Sequence, residues 1–148
     1  MSSPRLVSIG YEGRTAEDLV DELTEQGVRV LVDVRLTPLS RKPGLSKRRL
    51  AERLAAAGID YLHLKALGNP KENRQPFWDG RVKDGCEAFN DLLDSDEPQA
   101  ALQAIADLTA TSTVAILCFE RDHDRCHRQV VTERVADRIP AGRSVVYA

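Results

Sequence analysis

Two runs with consecutive apolar residues constrain the fold of this chain more than any other feature. Val28 to Val34, in which Val30, Leu31 and Val32 are consecutive, and Val114-Ala-Ile-Leu-Cys-Phe119 break the strict alternation of polar and apolar residues. A strand with one wet face alternates every second residue, so runs of this kind belong to strands covered on both faces, as in a parallel sheet between helices. The intervening segments supply such helices. Thr15-Ala-Glu-Asp18 opens one with an N-cap and acids in its first turn, Leu19, Val20 and Leu23 form its apolar stripe, and Gly27 closes it. Ser46 caps a second, which carries Leu50 and Leu54 and ends at Gly58. Further helices are predicted over Cys86 to Leu93, Pro98 to Leu108 and about Cys126 to Arg138, the last ended by Pro140. Shorter strands are predicted over Leu6 to Tyr11, Ile59 to Leu64 and Ser144 to Tyr147. Strands alternating with helices imply βαβ units. The expected fold is therefore a single α/β domain over residues 1–148, with a mostly parallel open sheet of about four to five strands and helices on both faces. Lys65 to Gly85 lacks periodicity and holds Gly68, Asn69, Pro70, Pro76 and Gly80, so it is predicted as a long loop or lid.

Composition narrows the function classes. Apolar residues make up 42% and charged residues 30% of the 148, a globular balance rather than a disordered one. The formal charge of −2 excludes the global basic field that drives non-specific binding to nucleic acid. Charge is nonetheless uneven, since Arg35, Arg41, Lys42, Lys47, Arg48 and Arg49 form a basic stretch that a local anion or simply solvent can satisfy. No signal-peptide core or membrane span is visible, so no membrane partner is expected. Cys86, Cys118 and Cys126 are too few for a disulfide framework, and reduced thiols in a cytoplasmic protein are the expectation.

In open parallel sheets ligands bind beyond the carboxyl ends of the strands, and here those ends are unusually polar. Asp33 and Arg35 sit two apart at the end of the second strand and so share a face; Tyr61 with His63 and Cys118 with Glu120 repeat the spacing, and Tyr11 ends the first strand. Each has a bland alternative: a buried ion pair, a satisfied histidine, a small apolar cysteine. Taken together they suggest a common cleft, because burying so many ionisable groups is costly without a use for them.

The sharpest constellation is Cys118-Phe-Glu-Arg-Asp-His-Asp-Arg-Cys-His-Arg128, where a buried strand passes through a polar loop into a helix. With Cys126, His127 and Arg128 on the first helical turn, the free N–H groups and dipole favour an anion and lower the thiol pKa of Cys126. Three chemistries fit: anion capture with Arg128 and Arg35 as clamps and Glu120 as acid or base, which is the preferred one; Cys126 as a nucleophile; and zinc held by Cys118, Cys126 and His123 or His127. The zinc spacing lacks a paired C-x-x-C, and neither a metal nor a cofactor is assigned from the sequence. Phe77 and Trp78 in the long loop fit stacking on a base, but pinning of the loop to the core is the reading adopted.

Ile9-Gly-Tyr-Glu-Gly-Arg14, Leu31-Val-Asp-Val-Arg35 with Pro38, Ser40 and Arg41, Tyr61-Leu-His63, Leu67-Gly68, and Cys118-Phe-Glu120 with Cys126-His-Arg128 together resemble the prokaryotic family called domain of unknown function 488. The resemblance implies the α/β fold and the site but no particular reaction. Catalytic roles are expected for Asp33, Glu120, His63 and Cys126, and ligand contacts for Tyr11, Arg35, Arg41, Tyr61, Cys118, His127 and Arg128. The expected activity is on a phosphate-bearing substrate, a nucleotide or nucleic acid. The alternatives are a non-catalytic module binding a nucleotide or other anion, and a cysteine–histidine redox or metal site.

Overall fold

The computed structural model describes residues 4–140 and 143–148. Five strands form one sheet: β1 (Leu6–Gly10), β2 (Val30–Asp33), β3 (Asp60–His63), β4 (Val114–Cys118) and β5 (Val145–Tyr147). Their order is β3-β2-β4-β1-β5, and every neighbouring pair is parallel. The two apolar runs, β2 and β4, lie side by side in the interior of the sheet, where both faces need cover.

The helices provide that cover. One face takes α1 (Ala16–Glu25) and α2 (Lys47–Ala56): Leu19, Leu23, Leu50 and Leu54 pack on Val7, Ile9, Leu31, Ala115 and Leu117. The other takes α4 (Val82–Leu92), α5 (Asp96–Leu108) and α6 (Arg128–Ala136): Phe89, Leu102, Ile105, Val131 and Val135 pack on Leu6, Val30, Val32, Val114 and Ile116. Successive residues of each strand thus feed opposite cores, as the pleat requires. α1 begins at the expected capping box, with Thr15 Oγ1 accepting from the Asp18 N–H and the Asp18 carboxylate accepting from the Thr15 N–H, both at 3.0 Å.

Two local expectations are corrected. Lys65 to Gly85 is ordered into 3₁₀ turns at Lys65–Leu67 and Lys71–Asn73, a one-turn helix α3 (Gln75–Trp78) and the first residues of α4. Side chains do this where periodicity is silent. The Asn73 amide donates to Asn69 Oδ1 (3.0 Å) and to the Gly85 carbonyl (2.9 Å), and Phe77 packs so tightly on Gly85 that a Cβ there would meet the ring at 2.7 Å. The last helix starts at Arg128, not Cys126. Asp122 caps a 3₁₀ turn, His123–Arg125, and leaves Cys126 extended ahead of the helix, its sulfur accepting the Arg128 N–H at 3.4 Å.

Candidate functional site

The register brings Gly10 of β1 opposite Cys118 of β4, and Asp33 of β2 opposite Leu117. Past these ends the ladder continues through Tyr11 N–H to Cys118 O (3.3 Å), Glu12 N–H to Phe119 O (2.8 Å) and Val34 N–H to Leu117 O (3.1 Å). A cleft of about 340 Å³ opens here, the place where open parallel sheets take their ligands. Tyr11, Arg35, Cys118, Phe119, Glu120, Cys126 and His127 line it from the strand ends, and Arg74, Phe77 and Trp78 from the segment before α4. Gly10 is the residue that permits this layout, because a Cβ at that position would overlap the Glu120 carbonyl and come within 2.9 Å of Arg121 Cα.

Asp33 and Arg35 share a face, as their spacing predicts, and that face is the α1–α2 side of the sheet. Asp33, with no exposed surface, accepts from the Arg35 backbone N–H (3.0 Å), Nε (3.0 Å) and Nη2 (2.7 Å) and from the Tyr61 hydroxyl (2.6 Å). Arg35 Nη1 donates to the Leu45 carbonyl (2.7 Å) and to the Tyr11 hydroxyl (3.3 Å). Burial opposes the Arg35 charge, but the hydrogen bonds and charge of Asp33 outweigh it and hold the guanidinium above its usual range. Burial, reinforced by Asp33, likewise pushes the Tyr61 hydroxyl up. His63 donates from Nε2 to the Arg35 carbonyl at 2.7 Å, since a carbonyl can only accept. These side chains form one cross-linked wall.

The opposite wall is built around Arg128, which is wholly buried. Its Nε donates to Ser8 Oγ (2.6 Å), and its Nη1 to the Glu120 carbonyl (2.9 Å) and Cys118 Sγ (3.1 Å). Having accepted from Arg128, Ser8 donates its own proton to His123 Nδ1 at 2.6 Å. Nη2 of Arg128 has no partner, and no carboxylate forms a salt bridge with it among the described residues. Cys118 Sγ also lies 3.3 Å from Glu120 Oε2, and burial raises the Glu120 carboxyl. His127 Nε2 donates to the Val34 carbonyl at 3.1 Å, which leaves the Nδ1 lone pair facing Cys126 Sγ at 3.6 Å. Burial pushes this imidazole down to about 4, so the ring is neutral near pH 7.

Where three separate thiols were expected, the sulfurs of Cys118 and Cys126 are joined and Cys86 alone is free. The polar loop returns to the strand end, and the extended conformation of Cys126 turns its side chain back toward β4.

Of the residues singled out from sequence, Tyr11, Arg35, Cys118, Glu120, Cys126 and His127 border the cleft. Asp33, His63, Tyr61 and Arg128 stand behind its walls, each tied to protein partners, and Arg41 is exposed away from it. Sequence reasoning missed Arg74, which makes no side-chain hydrogen bond among the described residues, and Phe119, 43% exposed at the rim. Phe77 pins its segment as expected, whereas Trp78 is 69% exposed. A cation in a stretch without periodicity carried no signal, but an aromatic residue directly following a buried strand was one.

The chain belongs to the family described as domain of unknown function DUF488, whose family model matches residues 15–135. No curated protein and no solved structure matches it. No helix among the described residues is long and apolar enough to cross a membrane.

Proposed function

For this member of a family whose name assigns no reaction, we propose an enzyme that takes a nucleotide-class substrate, a planar ring bearing a phosphate ester, in the cleft beyond β1, β2 and β4. The observation that carries this reading is that Glu120 and Arg74, a cation with no side-chain hydrogen bond or salt bridge among the described residues, border one cleft. Trp78 and Phe119 offer exposed rings at its rim, which suits stacking on a base. Arg74 meets the phosphate, and Glu120 moves the proton. Arg35 completes the wall, positioned by Asp33 and Tyr61, and Arg128 positions the Cys118–Glu120 backbone from behind. The volume of about 340 Å³ lies at the small end of ligand pockets, which favours a mononucleotide over a strand of nucleic acid.

Calorimetric titration with mononucleotides, nucleosides and inorganic phosphate, followed by product analysis, tests this. Mononucleotides are expected to bind better than either fragment. Arg74→Ala should weaken them by about tenfold or more, the worth of a charge-assisted contact. Glu120→Gln should keep affinity and lose turnover. Equal binding of nucleosides and nucleotides would refute the phosphate contact, and binding with no turnover under any condition would leave a non-catalytic nucleotide module.

A further inference from the structure

Arg128 poses an electrostatic problem that the nucleotide reading does not solve. A guanidinium with no exposed surface ordinarily faces a carboxylate, because a lone buried charge is costly. Arg128 has no salt-bridge partner among the described residues, and one of its nitrogens is unpaired. What its donors do reach is sulfur: Nη1 lies 3.1 Å from Cys118 Sγ, and its backbone N–H 3.4 Å from Cys126 Sγ. Donors so placed suit thiolate sulfur, a stronger acceptor than a thiol.

The third member of the group is His127. Its Nε2–H is committed to the Val34 carbonyl, and its Nδ1 lone pair faces the sulfurs. Metal-binding histidines are commonly held in this way, one nitrogen fixed by a backbone carbonyl and the other free to ligate. The ligand atoms of Cys118, Cys126 and His127 lie within 4.8 Å of one another, and all three residues are buried. The Cα atoms of the two cysteines are 7.7 Å apart, wider than the roughly 4.4–6.8 Å usual for linked cysteines, which suits two thiolates converging on a third atom.

We propose that Cys118, Cys126 and His127 form a binding site for a zinc-class divalent cation when the sulfur pair is reduced. Two thiolates and one imidazole select a borderline-soft ion over magnesium or calcium. A dithiol reductant delivers two electrons and two protons to the sulfur pair and leaves as its own disulfide. The cation then displaces the two thiol protons. The two thiolates balance the charge of the ion, and Cys118 Sγ still accepts the hydrogen bond from Arg128 Nη1, which favours thiolate over thiol at that sulfur. Three protein ligands would leave one position open, the pattern of catalytic rather than structural zinc, and Glu120 stands next to one of those ligands, its Oε2 3.3 Å from Cys118 Sγ. The site itself is independent of the nucleotide reading; only its use, activation of water for hydrolysis of the bound substrate, rests on that reading.

Cobalt(II) titration of the full-length protein, reduced with a phosphine and without nucleotide, tests the site. The expected result is one cobalt per chain with a thiolate-to-cobalt charge-transfer band. The band should survive Cys86→Ser and vanish in Cys118→Ser, Cys126→Ser and His127→Ala. Should those variants fail to fold, Cys86→Ser alone decides: zinc must protect both remaining thiols from alkylation, and a chelator must expose them. No band, substoichiometric cobalt, or thiols alkylated equally with and without zinc would overturn the proposal. Because no nucleotide is present, failure here leaves the affinity measurements above untouched, and failure there leaves the cobalt result standing.

Discussion

Replacing Asp33 by Asn keeps the shape of the side chain and removes its charge, which isolates what that charge does. Asp33 has no exposed surface and accepts from four donors, three on Arg35 and one on Tyr61. Arg35 is itself only 6% exposed, so the substitution leaves a guanidinium in a dry wall facing an amide. Removing one partner of a buried ion pair costs about 3–5 kcal/mol. A domain of this size holds a total of about 5–15 kcal/mol, so a fifth or more of its stability is at stake. Urea unfolding followed by circular dichroism reads the loss as a lower midpoint at unchanged slope. Tyr61→Phe removes one hydrogen bond to the same carboxylate and should cost about 1.5–3 kcal/mol. The double variant D33N/R35M removes both charges and should recover part of the loss, because no unpaired charge remains buried, although the Leu45 carbonyl loses its donor. A loss below about 1 kcal/mol in D33N, or a double variant no more stable than D33N, would refute the view that this pair is the mutually dependent frame of the cleft wall. If D33N does not fold, the double variant and Tyr61→Phe still decide.

Three further outcomes follow from the geometry. Gly10→Ala forces a methyl into the Glu120–Arg121 backbone and should cost about 1–3 kcal/mol or more while impairing nucleotide binding; Gly58→Ala, at φ +77° with open space around it, should cost about 1–2 kcal/mol and spare binding. If both variants bind alike, Gly10 does not set the floor of the cleft. Burial, aided by the charge of Glu133, pushes the Cys86 thiol up to about 11 from an ordinary 9.0, so its alkylation at pH 8 should run roughly a hundredfold slower than that of an unstructured cysteine. Labelling kinetics at the same rate as free cysteine would contradict this. Hydrogen bonds from the backbone and then the side chain of Thr15 hold the Asp18 carboxyl below its usual value. A group depressed in the folded state stabilises above its unfolded pKa, about 3.9, and that contribution is lost as pH falls through the folded value. The acid limb of a melting-temperature profile should therefore be shallower in Asp18→Asn, and parallel profiles would remove the capping box from the account.

The architecture was legible in the chain itself because its signals are local. Consecutive apolar residues at Val30-Leu-Val and Val114-Ala-Ile-Leu can be satisfied only by cover on both faces, and caps such as Thr15 with Asp18 mark a helix start without reference to the rest of the molecule. Spacing alone also put Asp33 and Arg35 on one face and located the polar strand ends. Tertiary structure decided which of those polar groups meet a ligand. Asp33 and Cys118 end adjacent strands yet enter opposite cores, so Asp33, Tyr61 and His63 close on Arg35 while Cys118, Glu120, Cys126 and His127 gather around Arg128. Arg74 reaches the cleft only because Asn69, Asn73 and Phe77 fold a stretch with no periodicity across its mouth. A buried charge chooses its partner by distance and by exclusion of water, and neither is a property of sequence separation: Arg128 Nε donates to Ser8 Oγ across 120 residues of chain.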